Sequence, residues 1–194
     1  MKQQIKYNNL IFDSNEELMM YYFLEELLVN KYINSFDYHP ESIGLSDLVK
    51  YKWYNKTNIT KEFTLLREHI YTYDYEIVWN INKSHNIFYN NINDNIKLDK
   101  IPFITQNDIS KIEIKPAWDA QNMTRLFSIN QKWLYQKYDI YVQKIIPIGD
   151  NKCLLAKTFT PKEALYTAKQ RKLKKYKFKT RSLEEFLEAL NEQK

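Results

Sequence analysis

The sequence predicts an α/β protein: a central mixed sheet flanked by helices, followed by a small basic α+β appendage. Three observations predict it. "FDSNEELMMYYFLEELLVNKYI" is apolar around much of a helical circumference, as a helix buried against a sheet must be. Tyr71 to Trp79 and the segment "KIEIK" alternate with the period of strands. The order "KIEIK", then "NMTRLFSINQKWLYQKY", then "DIYVQKIIPI" reads strand, helix, strand, which requires a parallel crossover.

The bulk composition sets the frame. A chain of 194 residues, 44% hydrophobic and 27% charged, can enclose a core and is not disorder-like. Glycine occurs only 2 times, so neither a Walker loop nor a dinucleotide fingerprint can be built. Tyrosine occurs 16 times, alongside abundant Asn, Lys and Ile. This reads as a coding bias in which single Tyr or Asn residues carry little weight. The lone Cys153 excludes an internal disulfide and a thiolate zinc cluster. His39, His69 and His85 lack metal-ligand spacing and read as ordinary polar residues. No segment has the length and purity to cross a bilayer, and "MKQQIKYNN" is not a signal peptide, so the expected location is a reducing cytoplasm. The net charge of +5 hints at an anionic partner.

In chain order, Ser14 is the N-cap of the first helix, with Glu17 at capping-box spacing. Glu17, Tyr21, Leu24 and Leu28 form one stripe at helical spacing, and Glu16 lies on another with Met20, Phe23 and Leu27. "INSFDYHPESIGL", broken at Pro40 and Gly44, reads as strand, turn and strand. Residues 62–80 are extended. In their second half Asp74, Glu76 and Val78 share one face, and Tyr75, Ile77 and Trp79 the other. Residues 81–109 are polar and Asn-rich with one apolar "IPFI" patch, and read as an insertion or extended hairpin. In "KIEIKPAW", Glu113 and Lys115 share a face opposite Ile112 and Ile114, and Pro116 ends the strand. The following helix directs Leu126, Ile129, Trp133 and Tyr138 inward, and Trp118 and Trp133 read as core. Residues 1–150 thus form the core domain and 151–194 the appendage, which holds a helix starting at Thr160–Pro161 and a last helix with Leu183, Phe186 and Leu190 on one side.

Glu113 and Lys115 could be a strand-neighbour ion pair or half of a phosphodiesterase centre. With "FDSNEE…YYFLEEL…YI", then "YTYDYEIVW", then "IEIK" in that order, the chain resembles the PD-(D/E)XK nuclease superfamily. It looks closest to the branch of phage-type resolvases and transposon-end nucleases. The resemblance covers roughly residues 10–147 and implies a restriction-endonuclease-like fold. Tyr73 stands where the family carries proline, and the Asp74–Glu113 separation is longer than usual, so residues 81–109 must be an insertion between adjacent strands. Implied catalytic residues are Asp74, Glu113, Lys115 and Glu17, with Glu76 in reserve for Asp74 and the capping role an equal alternative for Glu17. Implied metal ligands are Asp74, Glu113, Glu17 and the carbonyl of Ile114, holding Mg²⁺ with Mn²⁺ as a substitute.

The chemistry is independent of the family name. Phosphodiester hydrolysis needs a hydroxide near neutral pH and neutralisation of charge on the transition state. Carboxylates converging on a divalent ion supply both. Lys115 would orient the attacking water or balance phosphate charge. The expected function is Mg²⁺-dependent DNA cleavage, and the resemblance implies branched or recombining DNA in a phage-like context, with a homodimer as one arrangement. The rival from another class is a non-catalytic DNA-binding or assembly protein that keeps the scaffold. RNA stays open because nothing here reads the 2′-hydroxyl. Gln131 and Lys132 are candidate phosphate contacts. Arg171, Lys172, Lys174, Lys175, Lys177 and Lys179 lie in a basic run, without an acid from Ala164 to Leu183, that suits duplex phosphates or a protein partner.

Overall fold

A computed structural model of the chain describes residues 5–54, 60–84, 103–116, 118–119 and 125–147. The basic run and both helices expected after residue 150 lie outside the described residues, as does His85. The fold begins with a hairpin, β1 (Ile5–Tyr7) and β2 (Leu10–Phe12), whose two connecting residues Asn8 and Asn9 have φ of 46° and 62°. Asparagine tolerates that left-handed backbone, which two-residue hairpin loops require. Helix α1 (Asn15–Val29) follows directly. The Ser14 side chain accepts the Glu17 N–H at 3.2 Å, and the interior buries Leu18, Met19, Met20, Phe23, Leu24 and Leu27. Leu28, expected on the inner stripe, is exposed at the last turn.

Four short strands and a ribbon come next. β3 (Ile33–Tyr38) and β4 (Ile43–Ser46) flank Pro40, and β5 (Val49–Tyr54) pairs antiparallel with β6 (Thr60–Leu66). β7 (His69–Tyr71) pairs with β4, and β8 (Tyr75–Trp79) pairs antiparallel with β3. After the short helix α2 (Ile81–Ser84) the described chain resumes at Phe103 and enters β9 (Ile109–Ile114). Helix α3 (Arg125–Tyr138) then leads to β10 (Val142–Ile145), which pairs parallel to β9. The central sheet has the order β10-β9-β8-β3 and is mixed, as the strand-helix-strand order requires.

β8 and β9 are direct neighbours, with Tyr75 opposite Ile112 and Val78 opposite Ile109. The chain therefore leaves the sheet after Trp79 and re-enters it at Ile109 beside the strand it left. The returning end is woven into the core. Phe103 is fully buried 4.8 Å from the Trp79 ring, and the Trp79 Nε1–H donates to Ser110 Oγ at 2.8 Å. Ser110 Oγ donates onward to the Ile104 carbonyl.

Two cores flank the sheet. Tyr75, Ile77, Trp79, Ile112 and Ile114 join α1 in one, and Tyr71, Tyr73 and Val142 join Phe127 and Leu134 of α3 in the other. Helix α3 departs from its expected orientation. Phe127, Asn130 and Leu134 face inward, whereas Leu126, Ile129 and Tyr138 are exposed and Trp133 is half-buried against the His69 ring. Both rows run at helical spacing. The docking is decided by contacts across the chain: Asn130 Oδ1 meets His69 Nε2 at 2.8 Å, and Lys137 Nζ and Tyr138 OH donate to the Gly44 carbonyl. Trp118, expected in the core, is 68% exposed. No helix among the described residues is long and apolar enough to cross a membrane.

Removing Trp79 opens a cavity beside Phe103 and strips Ser110 of a donor. Trp79→Ala should cost about 3–5 kcal/mol in urea unfolding, against under about 0.5 kcal/mol for Leu65→Ala on the exposed ribbon. Equal costs for the two would contradict this placement of the core.

Candidate metal centre

The sheet brings chemistry-bearing residues to one of its ends. β3, β8 and β9 alternate in direction, so the end of β3, the start of β8 and the end of β9 coincide. Those positions carry Tyr38 and His39, Asp74, and Glu113 to Lys115. The first turn of α1 contributes Glu17.

Glu17 is buried and Glu16 only half-buried. Its carboxylate accepts from the Ser14 hydroxyl at 2.7 Å, the Asp13 N–H at 3.1 Å and the Tyr38 hydroxyl at 2.6 Å. The Ser14 N-cap therefore forms, with Glu17 reaching back to the Asp13 N–H rather than to that of Ser14, and the same side chain reaches the centre. One carboxylate oxygen of Glu17, one ring nitrogen of His39 and one oxygen of Asp74 lie within 4.8 Å of one another. His39 Nε2 stands 3.6 Å from Asp74 Oδ1, and the backbones are tied by the His39 N–H donating to the Asp74 carbonyl at 2.9 Å. His39 adopts φ 50° and stacks on Tyr38 at 3.9 Å. A left-handed residue immediately before Pro40 is sterically disfavoured, and such conformations concentrate at functional sites.

Asp74 Oδ2 accepts the Ile114 N–H at 2.5 Å. The Lys115 N–H points the other way, to the Ile145 carbonyl of β10. In a planar trans peptide C=O and N–H are opposed, so the Ile114 carbonyl is directed to the Asp74 side of the strand. Glu113 is buried, accepts from the Tyr71 hydroxyl at 2.8 Å and is ion-paired with Lys115 Nζ. The pairing expected of strand neighbours thus exists within the cluster. Lys115 Nζ also lies 5.8 Å from the Phe127 ring centroid. Glu76, the reserve acid, is drawn off to Lys111 and to the Tyr73 hydroxyl at 2.5 Å, which hold its carboxyl below the ordinary range.

Burial and the charge of Asp74 both raise the Glu17 and Glu113 carboxyls. Burial raises the Glu17 carboxyl above its ordinary 4.5, and the charge of Asp74 adds to this against the Tyr38 and Ser14 hydrogen bonds. Burial likewise raises Glu113, again reinforced by Asp74, with Lys115 and Tyr71 opposing. The Asp74 carboxylate beside it holds the His39 imidazole above its ordinary value, against the effect of burial. Burial and the neighbouring carboxylates push Tyr38 and Tyr71 far up, so both hydroxyls remain donors at neutral pH.

Asp74, Glu113, Lys115, Ile114 and Glu17 are therefore brought to one place. His39 was passed over because ligand spacing along one element was the criterion, whereas Glu17, His39 and Asp74 converge from three elements. Its trace in the sequence is its position at a strand end before proline. The tyrosines were discounted as composition, yet Tyr38 and Tyr71 each position a carboxylate. Of the expected phosphate contacts, Lys132 is exposed on α3, while Gln131 donates to the Val142 carbonyl at 2.6 Å and ties α3 to β10. His69, paired with Asn130, is the ordinary polar residue expected. No protein-family model, curated protein or solved structure matches this chain.

A raised carboxyl favours the folded state below 4.5 and loses that contribution as pH rises through its folded value. In cation-free buffer, Glu113→Gln should therefore gain melting temperature relative to the unsubstituted chain as pH rises from below 4.5 to neutrality. Differential scanning calorimetry across that range tests it. A gap that narrows toward neutrality would contradict the burial and the Asp74 repulsion.

Proposed function

We propose that the chain is a divalent-metal-dependent nuclease that hydrolyses phosphodiester bonds in DNA, on a restriction-endonuclease-like core. The observation that carries this reading is the meeting of Glu17, His39 and Asp74 within 4.8 Å, with Glu113 close enough for the charge of Asp74 to raise it. Desolvated carboxylates facing one another are unfavourable unless a cation joins them. The donor set fits such an ion. Asp74, Glu113, Glu17 and the Ile114 carbonyl offer hard oxygens suited to Mg²⁺, and the His39 imidazole widens the fit to Mn²⁺.

When bound, that ion would acidify a water and withdraw charge from a phosphate oxygen. The chain's own residues do the rest. Asp74 is fixed by the Ile114 N–H on Oδ2, so its other oxygen, Oδ1, is held in a defined direction beside His39. Tyr71 holds Glu113, and Tyr38 holds Glu17, by hydroxyls that stay protonated. Lys115, held beside Glu113, carries protons that can bond the attacking water or a non-bridging phosphate oxygen. The strand that bears Glu113 and Lys115 lies between two others, which limits drift of this pair. Branched or recombining DNA in a phage-like setting is the substrate this reading favours, on the resemblance in motif order.

One observation favours the rival, a DNA-binding or assembly protein without catalysis. The Glu17 carboxylate already accepts from three donors, as a purely structural capping residue would. Metal titration separates the two, because a scaffold binds DNA with a steep salt slope and has no carboxylate-dependent Mg²⁺ site.

Purified chain with Mg²⁺ or Mn²⁺ should cut at least one of linear, nicked, single-stranded and four-way DNA. Asp74→Asn should slow cleavage at least about a hundredfold. Tyr71→Phe, which frees Glu113 without removing it, should weaken metal affinity or rate by about ten- to a hundredfold. Intact substrates throughout, or an Asp74→Asn variant that cuts at the original rate, would sink the nuclease reading.

A further inference from the structure

The β5–β6 ribbon has every residue of both strands exposed, so it contributes to neither core. Its cross-strand register puts Tyr51 opposite Phe63 and Trp53 opposite Lys61. Tyr51 and Phe63 stack with centroids 5.7 Å apart, and Trp53 meets Phe63 edge-on at 6.1 Å. These three rings are 47%, 40% and 53% exposed. A lone two-stranded ribbon gains little stability from its own burial, so an uncovered aromatic face on one marks a surface completed by a partner.

The charges indicate which partner. Lys61 shares the ring face, while Lys50 and Lys52 alternate onto the opposite face, where Lys50 meets the single acid of the two strands, Glu62, at 3.5 Å. Both strands are sheet edges, and lysines on edge strands oppose pairing with another copy's edge. Laying a second ribbon on the ring face would bury Lys61, which shares that face beside Trp53. A polynucleotide has the opposite needs: phosphates for the lysines and flat bases for the rings. The ribbon also continues from the β4–β7 pair, two residues along each strand, and β7 carries the Tyr71 that holds Glu113.

We propose that the β5–β6 ribbon is a nucleic-acid-binding arm that stacks unpaired bases on Tyr51, Trp53 and Phe63, with Lys61 meeting phosphates on the ring face and Lys50 and Lys52 meeting the backbone as it wraps to the opposite face. The choice of ligand rests on the reading of the chain as one that acts on DNA. The arm itself is independent of the carboxylates. A strand held at the metal centre would be gripped a second time outside it, by contacts that carry no base sequence preference.

Fluorescence anisotropy of labelled oligo(dT) with the full chain in EDTA tests the arm without cleavage. Trp53→Ala should weaken binding by about fivefold to about a hundredfold, and Trp53→Phe should restore most of it. Replacing Lys50, Lys52 and Lys61 together by Gln should make the slope of log affinity against log salt shallower by about 2. Circular dichroism of each variant confirms that it is folded. Unchanged affinity and slope in folded variants would overturn the proposal, as would an unsubstituted chain that does not bind oligo(dT). It would equally fall if Trp53→Ala turned a dimer into a monomer in sedimentation while oligo(dT) affinity held, since the face would then belong to a second copy. Binding through the arm without Mg²⁺-dependent cutting would remove the nuclease reading and leave the arm standing.

Discussion

Three carboxylates withdrawn from water and set against one another are the constraint around which this molecule is arranged. Burial disfavours the charged forms of Glu17 and Glu113. Their convergence is enforced by the sheet: alternating directions of β3, β8 and β9 gather three strand ends at one edge. The first turn of α1 is laid across that edge with Glu17, where the positive end of the helix dipole tempers one of the charges. The hydrophobic work is done elsewhere, by Trp79, Tyr75, Phe103 and the apolar side of α1. Folding energy from that core holds in place a cluster that does not stabilise itself.

Tyrosine is the means by which the cluster is kept in order. Tyr38 and Tyr71 donate to Glu17 and Glu113, Tyr73 donates to Glu76, and the Tyr75 hydroxyl bonds the Glu17 backbone carbonyl at 2.8 Å. A phenol suits this position because its ring packs in the core while its hydroxyl reaches a polar rim. Its acidity, pushed upward by the same burial, keeps it a donor. The segment "YTYDYE", which joins β7 to β8, therefore does two jobs: Tyr75 faces the α1 core, while Tyr71 and Tyr73 join the α3 core and aim their hydroxyls at acids. Tyr73 in particular pulls Glu76 toward Lys111 and leaves Asp74 as the acid of the centre.

Helix α3 shows how far periodicity reaches. Leu126–Ile129–Trp133 and Phe127–Asn130–Leu134 are both rows at three- and four-residue steps. Apolar content favours the first, yet the helix buries the second. Asn130 is accepted inside because His69, distant in sequence, meets it, and Lys137 with Tyr138 anchors the last turn on β4. A polar residue with a waiting partner can outbid a leucine without one, and the partner is invisible to any local pattern.

The sequence by itself determined what depends on near neighbours: α1 and its Ser14 cap, the alternation of β8 and β9, the parallel crossover through α3, and the spacing that turns Glu113 and Lys115 to one side. These follow from capping geometry and from periods of two and of about 3.6 residues. It also put Glu17, Asp74 and Glu113 forward as partners, from the order of motifs rather than from physics. Only the tertiary structure decided that His39 joins them, that tyrosines hold them, which row of α3 turns inward and that β5–β6 stands uncovered. Each of these is a contact between segments far apart in the chain, fixed when the sheet closes, and local periodicity carries no record of it.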